Sequence, residues 1–283
     1  MNALAEAFIA ACKDELAAPK PGNVHVFASG HRMEAQDFID SAEAAAGPLT
    51  AEESSVGARI LGAVEATFAH VRQNTNLGIV LLCAPLAHAA LTYPGQSLNT
   101  SVARVLRRLD RDDAEMAFKA ITIANPGGLG AAPRHDVTQP ARATLLEAMR
   151  EAAPRDRIAR QYAADFEDVF GLGSARLHEA RGLVPDPELA TLRLYLGFLS
   201  AFPDSHIVRK FGAEAAERLV AEARAFAAAA DFSCRDEAFG HALQFDATLK
   251  ARGLNPGSSA DLTVATLFAD YVGAVLANGS KNG

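Results

Sequence analysis

The run NTNLGIVLLCAPLAHAA, residues 74–90, decides the reading of the fold. Asn74, Thr75 and Asn76 stand directly before an almost unbroken apolar stretch. That stretch, Leu77 to Leu91, contains Pro85 and His88, and it is shorter than the roughly 20 residues a bilayer crossing needs. It therefore reads as a helix inside a protein core. Its N-terminus must end in a simple cap or open into an interior pocket. Asn or Thr caps such a helix whether or not a ligand binds.

The rest of the chain follows the same pattern. Of 283 residues, 49% are hydrophobic and 22% charged, enough for a sizeable core. Alanine is abundant and β-branched runs are scarce, which favours helix. Thr50 and Glu53 have the spacing of a capping box, followed by a stripe of Val56, Ile60, Ala63, Val64, Phe68 and Val71. Helical periodicity recurs over 98–109, 112–124, 139–151, 155–169, 186–202, 212–230 and 235–252. The last segment, SADLTVATLFADYVGAVLA at 259–277, is apolar nearly all round and belongs in the core. No alternating strand pair, fixed-period repeat or flexible linker interrupts these patterns. The expectation is one all-α domain over residues 1–283, a bundle of about a dozen helices with a central polar cleft.

Charge and cysteine usage exclude several classes. The net charge is −7 and no basic block exists, so a nucleic-acid partner is not expected. Cys12, Cys83 and Cys234 show no C-x-x-C spacing and read as free thiols of a reducing, cytoplasmic compartment. The N-terminus, MNALAEAFIAACKDEL, carries acids and reads as an amphipathic helix, not a signal peptide. No membrane partner is expected. A homodimer is the default assembly, and the alanine-rich helix at 212–230 would suit either a dimer interface or the core. There is no H-E-x-x-H zinc pattern and no G-x-S-x-G elbow.

Polar residues gather instead at a few turns. KPGNVHVFASGHRM supplies Lys20, Asn23, His25, His31 and Arg32 around two glycines; this suits close approach to phosphate, or a solvated loop. NPGGLGAAPRHD is glycine-rich and carries Arg134, His135 and Asp136, but lacks the ending of a Walker loop. NPGSSADL puts Asn255, Gly257 and Ser258 at the start of the last helix, with Ser258 and Asp261 at capping-box spacing. YAADFEDVF sets Asp165 and Asp168 three apart on one helical face, as a Mg²⁺-binding pair or a solvated acidic face. FPDSHIVRKFG packs Asp204, His206, Arg209 and Lys210 into seven positions. A base and two phosphate-binding cations fit that set, and so do a helix cap and a structural histidine.

In this order, the segments resemble the triphosphoribosyl-dephospho-CoA synthase family. The matching stretches are KPGNVH, RILGAVEATFAHVRQNTNLGIVLLCAPLA, YAADFEDVF, DSHIVRKFG and LNPGSSADLTVATLF, from Lys20 to Phe268. The resemblance implies an all-α enzyme that transfers the triphosphoribosyl group of ATP to a hydroxyl of dephospho-CoA, releasing adenine. It implies phosphate contacts at Lys20, Arg209 and Lys210, and further substrate contacts at Asn23, His25, Asn74, Asn76, Asn255, Gly257 and Ser258. Asp165 and Asp168 would hold Mg²⁺ with the nucleotide, Asp168 would also face the developing cation, and Asp204 or His206 would be the base.

The chain also departs from the family. Better-known synthases carry a Thr-His-Lys-Gly-like segment where this chain has NTNLG, so Leu77 replaces a cation. Their first motif continues as N-G-(A/S)-H-x-D-M; here it is ASGHRM, with Arg32 at the acidic position. These changes suggest a divergent branch with two alternatives. One is transfer of ribosyl phosphate, from ATP or phosphoribosyl diphosphate, to a methanopterin-type precursor. The other is nucleotide binding without catalysis.

Overall fold

The structure, a computed structural model, describes residues 2–30, 33–127, 130 and 134–279. Fourteen α-helices run through these residues, and no strand forms among them. The first eight are α1 (Ala3–Ala17), α2 (Ala35–Leu49), α3 (Val56–Val71), α4 (Leu77–Thr92), α5 (Leu98–Leu106), α6 (Arg111–Ala124), α7 (Leu145–Ala152) and α8 (Arg157–Ala163). A short π-helical segment, Asp168–Gly173, leads into α9 (Ser174–Leu183). Then come α10 (Pro187–Ala201), α11 (Ser205–Phe211), α12 (Ala213–Ala229), α13 (Arg235–Ala251) and α14 (Gly257–Gly279).

Local chemistry sets the helix starts. Side chains of Asn2, Ser55, Ser97, Asp156, Asp186 and Asp204 each accept a backbone N–H in the first turn that follows. Reciprocal capping boxes open α6, from Asp110 and Asp113, and α7, from Thr144 and Glu147. The box expected at Thr50 and Glu53 does not form. Thr50 instead closes α2, donating to the Ala46 carbonyl at 2.8 Å, while Glu53 turns at φ 56° and Ser55 caps α3. The helix expected over 155–169 stops at Ala163, because Asp165 and Phe166 adopt left-handed backbone at φ 49° and 60°. Helices α2 and α9 are additions to the expected set.

Two apolar clusters fill the interior. The larger joins α1 to α8 with α14 and with Leu177, Leu194 and Phe198 of α9 and α10; the smaller joins α9 to α13 with Ala18, Leu254 and Ala260. Helix α4 is buried on almost every side, as its composition requires. Pro85 lies inside it and has no N–H for the carbonyl four residues back, at Leu81. The hydroxyl of fully buried Tyr162 donates to that carbonyl at 2.6 Å, so the orphan group is satisfied from α8.

Helix α14 contacts α1, α4 and α10. By length and composition, Gly257–Asn278 could cross a membrane. Its first turns are instead enclosed here, with Ser259, Leu262, Thr263 and Val264 all inaccessible. The N-terminal ends of α4 and α14 meet, and the functional site forms around that meeting point.

Candidate active site

A cavity of about 560 Å³ opens where α4 and α14 begin, bounded also by α6, α7, α8 and α11. Its size lies in the range of small-molecule sites, roughly 300–1,000 Å³. Its lining includes polar groups, among them Asn23, Asn74, His206, Asn255, Ser258 and Asp261. It also includes apolar side chains such as Leu77, Leu81, Phe118, Ile121, Leu145 and Met149. Arg134, Arg155 and Arg209 line it together with the acids Glu15, Asp136, Glu151 and Asp156.

The residues before α4 have separate tasks. Asn74 lines the cavity and also accepts the Leu77 N–H at 3.3 Å, so it is both a cap and a wall. Asn76 turns the other way. Its amide donates to Thr67 Oγ1 at 3.0 Å and to the Ser41 carbonyl at 3.4 Å. It borders only a void of about 10 Å³, so its expected substrate contact gives way to a structural one. Thr75 also lines the cavity, while its hydroxyl lies 2.6 Å from that of Ser41.

At α14, Gly257 supports His206 directly. A Cβ built on Gly257 would lie 2.0 Å from His206 Nδ1, so only glycine admits the imidazole there. Asn255 accepts from Asn23 Nδ2 at 2.8 Å, joining the NPGS and KPGN turns in one wall. Helix α14 starts at Gly257, so Ser258 and Asp261 sit inside its opening turns and are not N-cap and N3.

Asp204 is the wrong partner for a proton on substrate. It is 1% exposed. Oδ1 accepts from the His206 and Ile207 N–H groups, and Oδ2 from the backbone and hydroxyl of Ser259, both at 2.8 Å. Burial pushes its carboxyl up while these hydrogen bonds pull against that shift. It ties α11 to α14. Of the two expected bases, His206 is the one that lines the cavity.

The first turn is likewise structural behind its surface. Lys20 is wholly buried, with Nζ 2.7 Å from Glu15 Oε1 and donating to the Val24 carbonyl at 2.7 Å. It does not line the cavity, so the expected phosphate contact is corrected. His25 is buried with Nε2 3.3 Å from Asp246 Oδ2 and does not reach the cavity. Gly22 adopts φ 83° and donates to Asp246 Oδ1 at 2.8 Å. Lys20, Gly22 and His25 thus hold Asn23 in place. Arg32 and His31 lie outside the described residues.

The expected metal pair is also corrected. Asp168 is buried, and both its oxygens accept from the Arg157 guanidinium at 2.7 Å, with Gln161 Nε2 as a third donor. Asp165, beyond the break in the helix, faces solvent and pairs with Arg107 at 3.0 Å. Neither lines the cavity. Among the described residues, no group of three or more His, Cys, Asp or Glu side chains is placed to hold a metal.

Of the cations expected at phosphate, one lines the cavity. Arg209 lines the cavity, its Nε donating to the Gly127 carbonyl at 3.1 Å and Nη1 lying 3.6 Å from Asp156 Oδ2. Lys210 points to solvent beside Gly127. Arg134 pairs with Glu151 at 2.5 Å, and Arg155 donates to the Glu151 carbonyl at 3.0 Å. Arg155 was hidden in the sequence as an ordinary polar residue of an expected helix. Leu77, which departs from the family pattern, belongs to the apolar lining.

Asp261 is the main residue missed from sequence. Its Oδ2 lies where a Cβ on Gly78 would stand 2.0 Å away, so α14 and α4 approach through a glycine. No described residue donates a hydrogen bond to its side chain. Burial, together with Asp204, Glu15 and Asp156, holds its carboxyl well above the ordinary range, against a weaker pull from Arg209. The available signal was an acid in the opening turns of a largely apolar helix, which the capping-box spacing also accommodates.

The profile of the ATP:dephospho-CoA triphosphoribosyl transferase family (CitG) matches residues 1–280. A solved structure, that of a candidate triphosphoribosyl-dephospho-CoA synthase from Archaeoglobus fulgidus, is similar at a TM-score of 0.63 and 26% identity. The likeness covers 81% of this chain and 95% of that one. No curated protein sequence matches the chain.

Proposed function

The chain belongs to the ATP:dephospho-CoA triphosphoribosyl transferase family, and on that premise we propose how its cavity divides the work. The enzyme is a transferase that moves the triphosphoribosyl group of ATP to dephospho-CoA. The observation that supports the division is the mixed lining of one cavity, which carries three arginines, a polar set with His206 and a group of apolar side chains.

The triphosphate goes to the arginines. Arg134, Arg155 and Arg209 now rest against Glu151, the Glu151 carbonyl and Asp156. A polyanion replaces those contacts with stronger charge-assisted, partly bidentate ones. His206 takes the proton of the attacking hydroxyl. Gly257 fixes the ring by contact, and Asn255 and Ser258 stand beside it to hold the ribose hydroxyls. Displacement at the anomeric carbon passes through a cation-like state, so holding donor and acceptor in line supplies much of the catalysis. The apolar side chains take the adenine and the pantetheine arm.

Magnesium enters this reading as the counter-ion that a nucleotide triphosphate carries into the site. The Asp165 and Asp168 pair does not fit it, because each carboxylate is held by an arginine. No step is assigned to the ion.

The test is incubation with ATP, dephospho-CoA and Mg²⁺, followed by mass spectrometry. Adenine release that depends on dephospho-CoA, with a product heavier by one triphosphoribosyl group, is the expected result. Arg209→Ala should raise the ATP KM by roughly 10–100-fold, the effect of losing one charge-assisted contact of about 1.5–3 kcal/mol. Phosphoribosyl diphosphate with a pterin-pathway acceptor is the comparison arm. Turnover there and none with ATP would overturn the assignment.

A further inference from the structure

We infer that Asp261 is the acid that protonates adenine as it leaves ATP. The inference rests on the transferase reading above and adds the other half of its proton chemistry. Cleaving the anomeric C–N bond leaves the electron pair on the purine. That pair is a poor leaving group unless a ring nitrogen receives a proton. His206 accepts a proton from the attacking hydroxyl and cannot supply one in the same step. A second group lining the cavity has to donate.

Asp261 has the placement for this. It lines the cavity in the opening turns of α14, one turn beyond Gly257, on which His206 rests. Its carboxyl is seated by contact with the Gly78 backbone, and no donor side chain or N–H of the described residues engages it. Facing the cavity, the carboxyl is placed to donate its O–H to a ligand bound there.

The groups facing it agree from every packed element. Glu15 comes from α1, Asp156 from the cap of α8 and Asp204 from the cap of α11, and each disfavours a further negative charge; Cys83, from α4, is a thiol that burial pushes up. Arg209 is the one opposing cation among them, and it already lies beside Asp156. His206 stands across Gly257. Burial and these acids raise the Asp261 carboxyl above the ordinary carboxylate range, the direction a proton donor needs.

The step balances. The C–N bond of ATP breaks and its electrons stay on the purine. The Asp261 O–H proton moves to a purine ring nitrogen. The acceptor oxygen bonds the anomeric carbon and its proton passes to His206. Neutral adenine departs, and solvent returns a proton to Asp261 and takes one from His206.

The experiment compares two donors in Asp261→Asn and wild type. ATP needs its base protonated. A 7-methylpurine nucleoside triphosphate carries a cationic base that leaves without a proton. The variant should lose on the order of 10²–10⁴ in kcat with ATP, the usual contribution of a general acid, and less than about tenfold with the methylated donor. Asp261→Ala should show the same split if Asn disturbs folding. A second readout needs only ATP: the residual rate of the variant should rise as pH falls, because solution acid replaces the lost donor. Equal losses on both donors, or a residual rate that ignores pH, would overturn the proposal while leaving the transferase reading intact. Failure of that reading looks different, since wild type would then release no base from either donor.

Discussion

Oδ2 of Asp261 occupies the space above Gly78 that any side chain would need; a methyl built there would stand 2.0 Å from it. Gly78 lies in the first turn of α4, where alanine ordinarily improves a helix by about 1 kcal/mol. The steric conflict outweighs that gain, because the neighbour is a short side chain on a packed helix. Gly78→Ala should therefore lower the melting temperature and reduce kcat with ATP at least tenfold by turning the acid away. Gly78→Ala combined with Asp261→Ala should recover stability but not activity. A single variant that is both more stable and fully active would break the link between the two residues.

The fold was legible because its signals are redundant. The apolar run of α4 and the apolar surface of α14 each demand burial whatever surrounds them. The site was legible only at the level of segments. Asn74 and Asn76 precede α4 in irregular backbone, so they face different surroundings although only two positions separate them. Asp165 and Asp168 had helical spacing, but left-handed backbone at Asp165 and Phe166 set them on different faces. Lys20 and His25 carried the right chemistry for phosphate. Their environment comes partly from Asp246, more than 200 positions away, which local patterns do not reveal.

The Tyr162 hydroxyl is predicted to matter for stability through a proline it does not touch in sequence. It supplies the hydrogen bond that Pro85 cannot give to the Leu81 carbonyl. Tyr162→Phe leaves that buried carbonyl unsatisfied, at a cost of about 1–3 kcal/mol. In a Pro85→Ala background the helix provides its own N–H, and the same change should cost much less. Urea unfolding of the four proteins measures this coupling. Equal costs in both backgrounds would refute the compensation.

Asp168→Ala is expected to act on folding and not on metal use. Arg157 stacks over Phe202 at 3.7 Å and gives both its bonds to Asp168. Removing the carboxylate strands a largely buried cation, for which about 3–5 kcal/mol of destabilisation is typical. The Mg²⁺ concentration for half-maximal activity should stay the same in protein that remains folded. A shift of several fold would restore Asp168 as a metal ligand.

Acid should weaken the protein through the Asp246 cluster. Burial works against the Asp246 carboxylate, but His25 at 3.3 Å and Lys250 at 2.9 Å outweigh it and hold its pKa below the ordinary value. A depressed carboxylate contributes stability that is complete above its unfolded pKa, about 3.9, and is lost as pH falls through the lower folded value. The His25 imidazole is also held low, chiefly by burial, against the pull of Asp246. It is neutral in the folded chain, so its penalty begins below about pH 6.5 and grows as pH falls toward the folded pKa. Two phases of stability loss are therefore expected, the first below about 6.5 and the second below about 3.9. Asp246→Asn keeps an acceptor for the Gly22 N–H and removes the charge. At pH 7 it should cost about 1.5–3 kcal/mol, the range for hydrogen bonds to charged groups. That cost should shrink as pH falls below about 3.9 and through the lower folded value, where wild-type Asp246 takes up its proton. Unfolding curves for both proteins from pH 8 to 2.5 decide the matter, and a gap that stays constant across this range would show that the Asp246 charge does not stabilise the fold.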